Sequence, residues 1–142
     1  MTKTLPANFL APGRTIHIRF GGIYSTDGTQ RSIAFTIKLG STTVFNGTFQ
    51  PALSISANGE PWWGEAIIQC RTAGATGTVT AQMIIHTAND NGTVAMTTWG
   101  LSSQMSQTTI NTTTSQALDI LSTWSAANAS NSWTTNWAVA RF

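Results

Sequence analysis

The chain has 142 residues, enough for one domain with a core between two layers. Charged residues are only 8% of it, against about 25% in an ordinary soluble domain, and the net charge of +2 rests on scattered basic residues: Lys3, Arg14, Arg19, Arg31, Lys38, Arg71 and Arg141. No basic run is interleaved with aromatics, so no nucleic-acid partner is expected; one cysteine excludes an intrachain disulfide; and no run approaches the roughly 18 apolar residues of a membrane helix, so no membrane partner is expected either.

Residues 1–13 read as a lead-in arm, which Leu5, Phe9 and Leu10 can anchor while Pro6, Pro12 and Gly13 interrupt regular structure. Residues 14–142 read as a single domain. Thr15-Ile16-His17-Ile18-Arg19-Phe20 alternates apolar and polar side chains, the period of a strand with one buried face. A strand is expected over 14–25, with a bulge or bend at Gly21-Gly22. The Asp-Gly turn Thr26-Asp27-Gly28-Thr29 then returns the chain into a partner strand over 31–39. Gly40-Ser41 turns into a short strand over 42–45, Asn46-Gly47 signals a hairpin, and short strands follow over 48–49 and 53–56 around Pro51.

Beyond the loop Asn58-Gly59-Glu60-Pro61, residues 62–72 read as a strand of mixed pattern, buried on both faces or at an edge contact. Residues 73–77 are a loose hairpin loop. Over 78–87, Val79, Ala81, Met83 and Ile85 alternate with Thr78, Thr80, Gln82, Ile84 and His86. Asn89-Asp90-Asn91-Gly92 turns the chain, and strands are expected over 93–99, 107–112, 116–124 and 131–141, the last two joined through 126–130. Nine or ten strands with turns at this spacing give an all-β antiparallel sandwich or barrel. The closing run with Trp133, Thr135, Trp137, Val139 and Phe142 also suits an outer-membrane barrel strand, but uneven strand spacing and the lack of an apolar leader argue against that.

Catalytic hardware is sparse. His17 and His86 are expected on polar strand faces with no Cys or carboxylate cluster at ligand spacing, and no serine sits in a nucleophile elbow. The five carboxylates are Asp27, Glu60, Glu65, Asp90 and Asp119; Asp27 and Asp90 read as turn residues, and Glu60 lies in a Pro-flanked loop. Glu65 beside Trp62-Trp63 has a sugar-cleaving flavour, but a glycosidase needs two carboxyls across a cleft, so Glu65 reads as an arginine partner across a sheet or subunit contact. The turn at 89–92 shares part of a calcium loop, yet the first and last ligand positions are Thr87 and Thr98. Cys70 reads as a small core residue. Glycosylation patterns at Asn46, Asn91, Asn111 and Asn128 carry little meaning in an Asn- and Thr-rich chain without a secretion signal. No enzyme, metal or cofactor is expected.

Threonine is roughly one residue in six and suits a pleated surface; a low-charge surface of hydroxyls and amides suits contact with other protein copies or with sugars. Six tryptophans remain: Trp62, Trp63, Trp99, Trp124, Trp133 and Trp137. Trp99 and Trp124 are expected in the core. Trp62 and Trp63 are adjacent on a strand and point to opposite faces, so both are buried only where another layer or subunit covers one.

Several stretches resemble a known family: Leu5-Pro6-Ala7-Asn8-Phe9-Leu10 with Gly13-Arg14-Thr15-Ile16, then Gly22-Ile23-Tyr24-Ser25-Thr26, Ile37-Lys38-Leu39-Gly40, Cys70-Arg71-Thr72-Ala73-Gly74-Ala75-Thr76-Gly77-Thr78, and Gln116-Ala117-Leu118-Asp119. Together, from about residue 5 to the end, they resemble small β-sandwich virion domains of tailed bacteriophages and prophages. The resemblance implies a jelly-roll-like sandwich, a structural role without catalytic residues, and a homotrimer. With no shaft or coiled coil ahead of the sandwich, the expectation is a capsid decoration (cement) protein on the outer face of the head shell. It would be made in the bacterial cytoplasm and partnered by the phage major capsid protein. The alternative is a tail or fibre module that binds host surface polysaccharide. Leu5, Phe9, Leu10, Trp62, Trp63 and Glu65 are the candidate shell or subunit contacts.

Overall fold

Period-two alternation sets the elements. In the computed structural model, which describes residues 2–29, 32–49, 56–90, 94–101 and 107–142 (backbone alone for Phe49, Asn89, Asp90 and 94–101), every regular element is a strand. They are β1 (Thr2–Leu5), β2 (Thr15–Ser25), β3 (Ile33–Leu39), β4 (Thr42–Phe49), β5 (Glu60–Thr72), β6 (Gly77–Asp90), β7 (Val94–Leu101), β8 (Thr108–Ile110), β9 (Gln116–Trp124) and β10 (Ser132–Arg141). One antiparallel sheet has the order β1-β9-β3-β4; the other has the order β10-β2-β5-β6-β7, with β8 also paired to β6. The two pack face to face as a sandwich, in keeping with the all-β expectation.

One continuous core lies between the sheets. Ile33, Phe35, Ile37 and Leu39 of β3 and Leu118 of β9 face Ile16, Ile18 and Phe20 of β2, Ala66 and Ile68 of β5, and Val79, Ala81, Met83 and Ile85 of β6. Each large side chain of this kind contributes about 1.5–3 kcal/mol on full burial. Cys70 is buried among them, and burial pushes its thiol pKa up, which suits a core residue and not a nucleophile.

Four local expectations need correction. First, the turn at 26–29 does not fold β3 back onto β2: β2 pairs with β5 and β10, and β3 with β4 and β9. The chain crosses between sheets here, and β9 crosses back to β10 alongside it. The Asp27 amide donates to Asn131 Oδ1 (2.8 Å), Asn128 Nδ2 donates to Asp27 Oδ2 (2.8 Å), and the Ser125 amide donates to the Ser32 carbonyl (2.9 Å). These bonds clasp the two crossings together.

Second, Asn46-Gly47 makes no hairpin. β4 runs straight through it, with Asn46 opposite Thr36 and Gly47 opposite Phe35, because the turn at Gly40 (φ 58°) has already set the register. Third, the mixed pattern of 62–72 resolves into clean alternation within a central strand: Trp62, Gly64, Ala66, Ile68 and Cys70 face inward. The expected strand at 53–56 lies outside the described residues except for Ser56. The strand expected over 107–112 is shorter, at Thr108–Ile110.

Fourth, the lead-in at residues 2–13, which Leu5 and Leu10 anchor, is not irregular throughout but contributes a paired strand. β1 is the edge strand beside β9, with Lys3 opposite Leu118 and Leu5 opposite Gln116. Leu5 and Leu10 are 2% and 3% exposed. The Asn8 amide donates to the Thr112 carbonyl and the Gly13 amide to the Cys70 carbonyl, both at 2.9 Å. Two leucines gain more from the core than a solvated arm can offer.

Leu5→Ala and Leu10→Ala are each expected to lower unfolding free energy by about 2–5 kcal/mol, measured by urea denaturation. An unchanged midpoint in both would show that the first ten residues stand apart from the sandwich.

Candidate interaction face

The outward faces of the two sheets have opposite chemistry. On the four-stranded sheet, residues 34, 36, 38, 43, 46, 48, 119 and 123 are small, hydroxylic, amide or charged, and among the described residues Leu121 is the one exposed large apolar side chain. On the other sheet, strand register aligns three rungs. Trp137, Gly21, Trp63 and His86 form the first; Val139, Arg19, Glu65 and Ile84 the second; Arg141, His17, Ile67 and Gln82 the third. Ile23 lies beyond them. Ile23, Trp63, Ile84, Trp137 and Val139 are between 36% and 53% exposed, an aromatic and aliphatic patch uncommon on a monomeric surface.

Two glycines make the first rung possible. β10 bulges between Thr135 and Trp137, opposite Gly22 and Gly21. A Cβ at Gly22 would stand 1.8 Å from the Thr134 carbonyl oxygen, and one at Gly21 would stand 2.8 Å from Trp137 Cζ2. The Gly21-Gly22 pair therefore marks a bulge, as expected, though the extra residue is on the partner strand. The Trp137 ring covers the bare backbone of Gly21. Across the rung, the Trp63 and His86 rings stack with centroids 3.8 Å apart and planes 13° from parallel. Burial lowers the His86 pKa and favours the neutral imidazole.

The other two rungs hold the charges. Glu65 lies between Arg19 (Nε–Oε2 3.4 Å) and His17 (Nδ1–Oε1 3.6 Å), the cross-strand arginine partnership expected for it. Beside them an open groove of about 530 Å³ is lined by His17, Arg19, Glu65, Trp137, Val139 and Arg141. Its lining holds one carboxylate, so it lacks the facing pair that glycoside hydrolysis uses. The arrangement can stack, bury apolar groups and attract an anion.

Of the candidate contacts, Trp63 and Glu65 are brought together on this face. Trp62 is not: it points inward and is 3% exposed, its Nε1 donating to the Ile23 and Thr134 carbonyls (3.3 and 3.2 Å) and its ring 4.5 Å from that of Trp133. The expected opposition of Trp62 and Trp63 is observed; the inner partner is covered by this chain's own second sheet and β10. Leu5 and Leu10 are core residues. Phe9 packs edge-on to Phe142 at 5.2 Å with Arg14 over its ring, away from the Trp63–His86 stack. Trp124 packs against the core as expected, and the side chain of Trp99 lies outside the described residues. His17 and His86 both face outward: His17 lies among Glu65, Arg19 and Arg141, as expected of a polar face, whereas His86 lies against the Trp63 ring.

Sequence reasoning does not single out Ile84, Trp137, Val139, Arg19 or Arg141 for this face. Ile84 carries a signal, being apolar in the polar phase of its strand; the others become neighbours only through the β10–β2–β5 register. No protein-family model, curated protein or solved structure matches the chain.

Because the folded state lowers the His86 pKa below its ordinary 6.5, the unfolded chain binds this proton more readily. The His86 contribution to stability is intact above that value and is lost as pH falls through it. Melting temperature is expected to drop from pH 7.5 toward about pH 5.5, and less steeply in His86→Gln. Identical slopes in the two proteins would remove His86 from the account.

Proposed function

We propose that the protein is a non-enzymatic structural protein of a bacteriophage virion, a capsid decoration protein that binds the outer face of the head shell as a homotrimer and stabilises it. The phage assignment is supported by the sequence resemblance of residues 5–10, 13–16, 22–26, 37–40, 70–78 and 116–119. The observation that carries a binding role is the apolar outer face of the six-stranded sheet, where Trp63, Ile84, Trp137, Val139 and Ile23 lie together in solvent. Large aromatic and aliphatic side chains are enriched at the centres of protein interfaces. A protein that binds the assembled shell and not its separated subunits shifts the equilibrium toward the intact particle. A trimer would multiply individually weak contacts.

A second reading, a tail or fibre module for host polysaccharide, is favoured by one observation. The stacked Trp63 and His86 rings present a flat, partly exposed aromatic surface of the kind that sugar rings pack against.

A cryo-EM reconstruction of the source particle tests the choice. Copies repeated over the head lattice are expected, and density confined to the tail or its fibres would favour the sugar reading. With the fold checked by circular dichroism, Trp63→Ser is expected to weaken head binding by about 2 kcal/mol or more, roughly thirtyfold. Undiminished occupancy would move the contact off this face.

A further inference from the structure

β10 is the outermost strand of its sheet. One side pairs with β2 along its length, and the other pairs with nothing among the described residues. Eight of its ten residues are exposed, and no layer among the described residues covers this edge. Its unpaired N–H and C=O groups form a template for a further strand. The groove lies on the same strand, with Trp137, Val139 and Arg141 as its β10 wall.

The charges in the groove are unbalanced. Glu65 is the only carboxylate in the lining and already faces both Arg19 and His17. Arg141 makes no ion pair among the described residues. The lining therefore holds two guanidiniums and an imidazole against one carboxylate, and it attracts a negative group.

We propose that the β10 edge and this groove together receive an extended acidic segment of the shell protein, which adds to β10 as a new strand and sets an Asp or Glu side chain beside Arg141. The inference rests on the shell-binding reading and names the partner's chemistry. A side chain on an added strand lies about 5 Å from the residue opposite it, so a carboxylate there reaches a guanidinium directly. An acidic polysaccharide would satisfy the charge. A polypeptide satisfies the charge and also the periodic backbone groups of the edge, and this favours a protein segment.

The test measures co-sedimentation of the full chain with purified heads lacking it. Wild-type binding is expected to weaken about tenfold or more as salt rises to about 0.5 M, where exposed charges are strongly screened. Arg141→Glu is expected to bind about tenfold or more weakly at low salt, with Arg141→Lys in between. Arg141 is exposed near the end of the chain, so these variants leave the core intact. Equal, salt-insensitive binding by wild type and Arg141→Glu would overturn the acidic-segment proposal and leave shell binding standing. No binding of wild type to heads would overturn both. Binding to acidic host polysaccharide in place of heads would reassign the groove to a sugar, and self-association through the edge without head binding would reassign it to a second copy.

Discussion

β10 can lie against β2 only because residues 21 and 22 have no side chains. With any Cβ at Gly22 the Thr134 carbonyl would have to move, and with one at Gly21 the Trp137 ring would lose its seat. Much of the molecule depends on that approach. Trp133, on the inner side of β10, stacks on Tyr24 at 5.4 Å and meets Phe35 edge-on at 5.4 Å, closing the core at that end. Trp137, on the outer side, begins the aromatic rung and walls the groove. A single close contact between two backbones thus serves both core and surface.

The two sheets use their outer faces differently. The four-stranded sheet presents threonine, asparagine and one Lys38–Asp119 cross-strand pairing, which water solvates well. Among its described residues, the six-stranded sheet leaves two tryptophans and three aliphatic side chains half in solvent. Burying such area is worth about 25 cal/mol per Å², so this face has more to gain from a partner than the other. Low overall charge adds to the effect, because little electrostatic repulsion stands between it and another protein surface.

Alternation alone makes the inward residues of β2, β3 and β6 legible. A strand's side chains point to opposite faces at every step, and Ile16, Ile18, Ile33, Phe35, Val79 and Met83 follow that rule. Pairing is less legible. Asp27-Gly28 and Asn46-Gly47 both carry hairpin chemistry, yet neither makes a hairpin. At Asp27 the hydrogen bonds to Asn128 and Asn131 come from residues about a hundred positions away, and at Asn46 the strand β3 already holds the backbone. The leading segment departs from expectation for a similar reason. Pro6, Pro12 and Gly13 announce irregular backbone, but where Leu5 and Leu10 are buried depends on β9 and the core.

Local sequence therefore dictates an all-β chain with one domain's worth of core, the opposition of Trp62 and Trp63, and a cation partner for Glu65. Each of these follows from side-chain direction, composition or the charge on one residue. The assembled sheets add what no local run contains: the outward residues of β10, β2, β5 and β6 form one apolar face with a cationic groove at its β10 edge. That juxtaposition joins residues 17 and 141, or 63 and 137, through strand register, and register is set by the whole sandwich rather than by any neighbouring stretch of chain.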